Sequence, residues 1–197
     1  TGVQTCALPI FWANDPEWAP NIKYQEDLSI HYLGLNCSRP PFDNVMVRQA
    51  INYAIDVQRI IDKVKNGNAT PASGPVPPGL IEPYPKLKYD FNPQLAKELL
   101  AKAGFETGLK IELWQSQSSE LLNLTEAIQA QLEAVGVHVK IIRNDWNLFS
   151  QAVSEGVPDM YYRSWYADYP HAENFIAPLF ESEVSKRRWT RYSNNEI

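Results

Sequence analysis

The feature that most restricts this chain is a regular alternation of helix-period and strand-period segments from Pro93 to Tyr166. Leu95, Leu99, Leu100 and Ala103 recur at the spacing of an amphipathic helix over Pro93 to Ala103, with Gly104 as its stop. Leu109 to Gln115 reads as a strand. Leu121, Leu124, Ile128, Leu132 and Val135 mark a second helix closed at Gly136, and Val137 to Arg143 is a strand of mostly β-branched residues. A short helix over Asn147 to Ser154 and an apolar, aromatic strand over Met160 to Tyr166 complete the pattern. Helices and strands in alternation each bury one face, which implies an α/β lobe with a covered sheet. In such sheets ligands bind beyond the strand ends.

Upstream, Leu28 to Asn36 is a further strand, and His31 inside it reads as a packed histidine rather than a ligand or base. Arg39-Pro40-Pro41-Phe42 breaks the chain, and Asp43 or Asn44 offers an N-cap for a helix carrying Val47, Ala50, Ile51, Ala54 and Ile55. Asp56 caps a second helix with Ile60, Ile61 and Val64, stopped at Asn66-Gly67. Pro71, Pro75, Pro77, Pro78, Pro83 and Pro85 leave little regular structure between Asn68 and Asn92. That stretch is either an ordered wrapping loop or a flexible linker.

The last strand stops at Asp168-Tyr169-Pro170, which puts a carboxylate among Trp165, Tyr166 and Tyr169. An aspartate two residues before proline is most often a turn former or a cap for a helix starting near His171. Three large aromatics within five residues point instead to a binding surface, where such rings are spent. In that setting Asp168 meets a cation or a helix N-terminus, or stays wet.

Several function classes are excluded or weakened. A net charge of −5 argues against nucleic-acid binding, which rests on neutralising phosphates. Lys186-Arg187-Arg188 with Arg191 reads as a solvated surface run. Cys6 and Cys37 are the only cysteines and lack zinc-ligand spacing, and His31, His138 and His171 have no ligand set around them. No GxSxG, HExxH, GxxxxGK[ST] or GxGxxG occurs. No apolar run is long enough to cross a bilayer.

Six blocks in order carry a family resemblance: YLGLN at 32–36, PPFDNVMVRQAINYAID at 40–56, GNATPASGPVPP at 67–78, NPQLAKELLAKAG at 92–104, AIQAQLEAVGVHV at 127–139 and SWYADYPHAENF at 164–175. The chain resembles the extracytoplasmic solute-binding proteins of ABC transporters in the peptide and nickel class, solute-binding family five. The resemblance implies a periplasmic-binding-protein-like α/β lobe of the type II class, incomplete here. Residues 11–197 are expected to be a C-terminal lobe cut before its return to the first lobe. Residues 1–10, TGVQTCALPI, resemble translated sequencing-adapter read-through and are expected to be non-native.

The function so implied is the substrate-binding component of an ABC importer that captures di- to oligopeptides without catalysis. Asp168 stands where family members pair the ligand's α-ammonium, and Trp165 matches the motif's tryptophan. Main-chain groups of Ser164 to Tyr166 are expected beside the peptide as an added strand. Trp146 matches an aromatic lining a side-chain pocket. Val153 occupies a position where some oligopeptide binders carry a carboxylate-binding arginine, which leaves Arg163 or another lobe for that task. His171 replaces an acidic residue found in many relatives. The resemblance implies permease subunits as partners, no cofactor or metal, and a periplasmic or lipid-anchored location. Nickel chelates, haem, oligosaccharides or opines are alternative cargoes, and a hydrolase using Asp168 and Glu173 is a distant alternative.

Overall fold

The computed structural model describes residues 15–21, 27–81, 86, 88–181, 183–184 and 190–193. The TGVQTCALPI segment with Cys6, the Lys186-Arg187-Arg188 run and the last four residues lie outside them. After a 3-10 turn at Ala19–Asn21 come β1 (Ser29–Leu35), α1 (Val45–Ala54), α2 (Val57–Val64), α3 (Pro93–Lys102), β2 (Leu109–Ser116) and α4 (Ser119–Glu133). They are followed by β3 (Val137–Asn144), α5 (Trp146–Glu155), β4 (Met160–Tyr166) and α6 (Glu173–Phe180).

Helix starts follow short polar side chains that satisfy the first free amides. Asn44, not Asp43, accepts from the Met46 N–H at 2.9 Å, and Asp56 accepts from Arg59 at 3.0 Å. Ser118 accepts from Leu121 at 3.4 Å, so α4 begins at Ser119, ahead of its first apolar residue. Asp145 accepts from Asn147 and Leu148 at 3.0 and 3.2 Å and starts α5 at Trp146.

The four strands form one mixed sheet in the order β1-β4-β2-β3. β2 runs parallel to both β3 and β4, while β1 pairs antiparallel with β4, from Ser29 opposite Tyr166 to Leu35 opposite Met160. The period-2 alternation of side chains makes two different faces. On one, Ile111, Leu113, Val139, Met160 and Tyr162 join Val47, Ile51, Leu100, Ile128 and Leu132 of α1, α3 and α4 in the main core. On the other, Tyr161 packs with Phe149 and Val153 of α5.

A further cluster joins Ile30, Val76 and Phe175. Val76 is buried, so the described part of the proline-rich stretch wraps the lobe as a loop. In α3 the core contact falls on Ala96 and Leu100; Leu95, expected on the buried side, is only half-buried. Ala96 is fully buried in the main core, and Leu99 and Ala103 pack against it partly buried.

Candidate functional site

Main-chain alternation along β4 decides which peptide groups are available. Ala167 donates to the Leu28 carbonyl and Asn36 donates to the Asp159 carbonyl, both at 2.9 Å. Odd-numbered residues from 159 to 167 therefore turn their peptide groups toward β1, and even-numbered ones turn toward β2. β2 meets β4 only at Leu113 opposite Met160 and Trp114 opposite Tyr161. Beyond that junction the peptide groups of Ser164 and Tyr166 have no strand partner among the described residues.

This open edge runs into Asp168. The aspartate is exposed, and its carboxylate makes no hydrogen bond or ion pair with a described residue. Its N–H donates to Asn174 Oδ1 at 3.1 Å, and the same oxygen accepts the Trp165 indole N–H at 3.0 Å. Asn174 is 4% exposed, so one buried amide in the first turn of α6 holds both ends of the 165–168 turn. The expectation that Asp168 caps the helix near His171 is not met. α6 starts at Glu173 without a side-chain cap, and His171 Nδ1 accepts from the Glu173 N–H at 3.2 Å. Of the fates open to Asp168, the fold leaves it wet.

Asn174 had no signature in the sequence, because its two donors come from an adjoining strand and turn. Asn174→Ala removes their shared acceptor and is expected to cost about 2 kcal/mol, read as a lower midpoint in urea.

The remaining site residues divide between the faces. Arg163 and Trp165 share the α5 face. Trp165 packs into both smaller clusters, and the Arg163 guanidinium carbon lies 5.2 Å from the centre of the Trp146 ring. Burial holds the Arg163 pKa below its ordinary value, against the opposing influence of Tyr32 and Tyr161. Trp146 opens α5, 54% exposed, with its ring 5.9 Å from that of Phe149. Val153 lies two turns into the helix and is fully buried against Phe149 and Tyr161, so its position supplies no charge to the site.

Ser164 and Tyr166 place their side chains on the main-core face. There Tyr166 meets His31 edge-on at 6.3 Å, and His31 Nδ1 lies 2.8 Å from the Tyr162 hydroxyl. The packed histidine expected at 31 is corrected in part: its ring stacks on Tyr162, but its outer side is exposed. The neighbouring Lys65–Glu120 ion pair, 2.9 Å across, links α2 to α4 and was not foreseen.

Burial of its inner side lowers the His31 pKa from 6.5; Lys65 adds to this, while Glu120 and Asp27 oppose it. A base that resists protonation when folded loses stability as pH falls below its unfolded value. His31→Gln is therefore expected to flatten the decline in melting temperature below about pH 6.5.

Two open concavities lie away from this edge, one at Cys37, Arg48 and Arg191 and one at Lys110, Glu112 and His138. Among the described residues no cluster of His, Cys, Asp and Glu could hold a metal ion.

The profile of the bacterial extracellular solute-binding proteins, family 5 Middle, matches residues 9–186. Heme-binding protein A of Haemophilus influenzae is 31% identical over 180 residues, 88% of this chain and 33% of that protein. The dipeptide-binding protein of Escherichia coli is 31% identical over 173 residues, 85% of this chain and 32% of that protein. The crystal structure of the dipeptide binding protein from Pseudoalteromonas sp. SM9913 with Met-Leu superposes with a TM-score of 0.83 at 34% identity, over 96% of this chain and 39% of that one. The chain thus spans about a third of the length of the curated relatives it matches.

Proposed function

We propose, because the chain belongs to the bacterial extracellular solute-binding proteins of family 5, that it is part of the substrate-binding component of an ABC importer and captures peptides by their amino end and main chain. One observation carries this reading: the open edge of β4 at Ser164 and Tyr166 leads to a carboxylate with no partner among the described residues. A peptide laid along that edge satisfies the free peptide groups whatever its side chains, and its α-ammonium meets Asp168. The permease subunits of the importer are the expected partners. The expected location is the periplasm or, with a lipid anchor, the outer face of the membrane. Nothing in the chemistry of the site calls for a reaction.

The test is titration calorimetry on the full-length protein with short peptides and their N-acetylated forms. Free peptides are expected to bind about 100-fold more tightly, and equal affinities would reject the reading. Haem is the second reading, favoured by the match to a heme-binding protein and by the exposed rings of Trp146, Tyr166 and Tyr169. Haemin that binds tightly and is not displaced by peptide would select it.

A further inference from the structure

β1 and β4 are antiparallel, so Leu35 and Met160 stand side by side at the end of the sheet away from Asp168. The length of β4 separates the two ends by roughly 23 Å at about 3.3 Å per residue. At the far end lies the open concavity at Cys37, Arg48 and Arg191, about 490 Å³ in volume, with Asp43 and Ser193 also on its wall. No residue of the peptide edge lines it.

Arg48 gives this concavity its chemistry. It belongs to the first turns of α1 and folds back to the helix start, where Nη1 donates to the carbonyls of Phe42 and Asp43 at 2.6 and 3.0 Å. Those two bonds fix the guanidinium. Its Nε and Nη2, which form one edge of the planar fork, bond to no described residue, and no carboxylate of one stands within ion-pair distance. The start of α1 adds its own positive end, and no acidic residue in the first turn offsets it. Arg191 brings a second cation to the wall, held by a bond from Nη2 to the Ser154 carbonyl at 2.9 Å, while Asp43 brings one opposing charge. Cys37 registers the field: burial raises its thiol pKa, and the charge of Arg48 works against that rise.

We propose that this concavity binds a small oxyanion, phosphate or carboxylate, with the free edge of Arg48 as the direct donor and Arg191 as a second attracting charge. A guanidinium edge meets either group in two-point contact. One water takes up about 30 Å³, so the ion sits there with much of its hydration shell, and the affinity is modest.

Calorimetry on the full-length protein with inorganic phosphate and, separately, acetate tests this, at an ionic strength fixed with chloride. Phosphate is expected to bind with a Kd of about 1 mM, and about 10-fold more weakly in Arg48→Gln. Asp43→Asn keeps the carbonyl that Arg48 holds and removes only the opposing charge, so it is expected to tighten phosphate binding about 3-fold. A merely structural role for either residue gives no such gain. Alkylation of Cys37 by iodoacetamide, read by mass spectrometry of its peptide, is the second measurement. A bound anion offsets the charge of Arg48 and leaves less thiolate, so saturating phosphate is expected to slow the reaction about 3-fold in the parent and not in Arg48→Gln. Binding of both anions marks a general oxyanion site and binding of one alone a site selective for it; either supports the proposal. Failure of both to bind, a phosphate affinity unchanged in Asp43→Asn, or a phosphate effect on Cys37 that survives Arg48→Gln overturns it. Should Arg48→Gln not fold, the gain in Asp43→Asn decides alone.

Discussion

Asp168→Asn is expected to weaken binding of peptides with a free amino end by about 100-fold, which is about 2.7 kcal/mol. Opposite charges about 4 Å apart attract by about 4 kcal/mol at an effective dielectric near 20, and desolvation takes back part of that. The substitution keeps the shape of the side chain and removes only its charge. Within the lobe that charge holds nothing, because the carboxylate has no described partner and the turn is fixed through the main-chain N–H to Asn174. Stability is therefore expected to stay within about 0.5 kcal/mol of the parent.

The prediction is thus a dissociation: binding falls while the unfolding midpoint does not move. N-acetylated peptides should bind the parent and Asp168→Asn equally weakly. A variant that binds free peptides as the parent does would remove Asp168 from the site, and one that unfolds early would mean that the carboxylate has a structural role.

How much of this was legible in the sequence depends on the range of the interaction concerned. Apolar spacing and caps act within one element, so five helices and four strands could be placed to within a residue or two, and a sixth helix only by its start near His171. Asp56 and Gly136 are examples, each acting on its own chain neighbours. Registry between strands was not legible. Nothing in Met160 to Tyr166 says that β2 releases β4 after Tyr161, yet that release opens the peptide groups of Ser164 and Tyr166.

Ring contacts across elements were hidden for the same reason: Arg163 and Trp146 are far apart in the chain and meet only because β4 and α5 pack together. Asp168 was legible as a carboxylate at a strand end. Its lack of a partner among the described residues was not, because a nearby helix start could have claimed it, and only the fold shows the Glu173 N–H at that start donating to His171 instead.

Gly34→Ala is expected to destabilise the lobe by about 3 kcal/mol. Gly34 of β1 stands directly opposite Tyr161 of β4, and opposed residues in an antiparallel pair share a face. The tyrosine ring lies across the bare glycine, so an added Cβ would sit 2.1 Å from Tyr161 Cζ and 2.5 Å from its hydroxyl oxygen. The ring has nowhere to go, being 1% exposed and packed with Phe149 and Val153 beneath α5. Relief has to come from strand separation or from displacement of α5, which carries Trp146 at its start.

The Tyr161 background tests this account. In Tyr161→Ala the methyl group of Gly34→Ala has open space, so adding the second substitution is expected to cost nothing, and the two changes are strongly non-additive. In Tyr161→Phe the hydroxyl, buried without a hydrogen-bond partner among the described residues, is gone, but the ring carbon at 2.1 Å remains, so Gly34→Ala should still cost most of its full effect. Urea unfolding followed by tryptophan fluorescence measures all of these, and a Gly34→Ala penalty unchanged in the Tyr161→Ala background would show that the ring is not what the glycine makes room for.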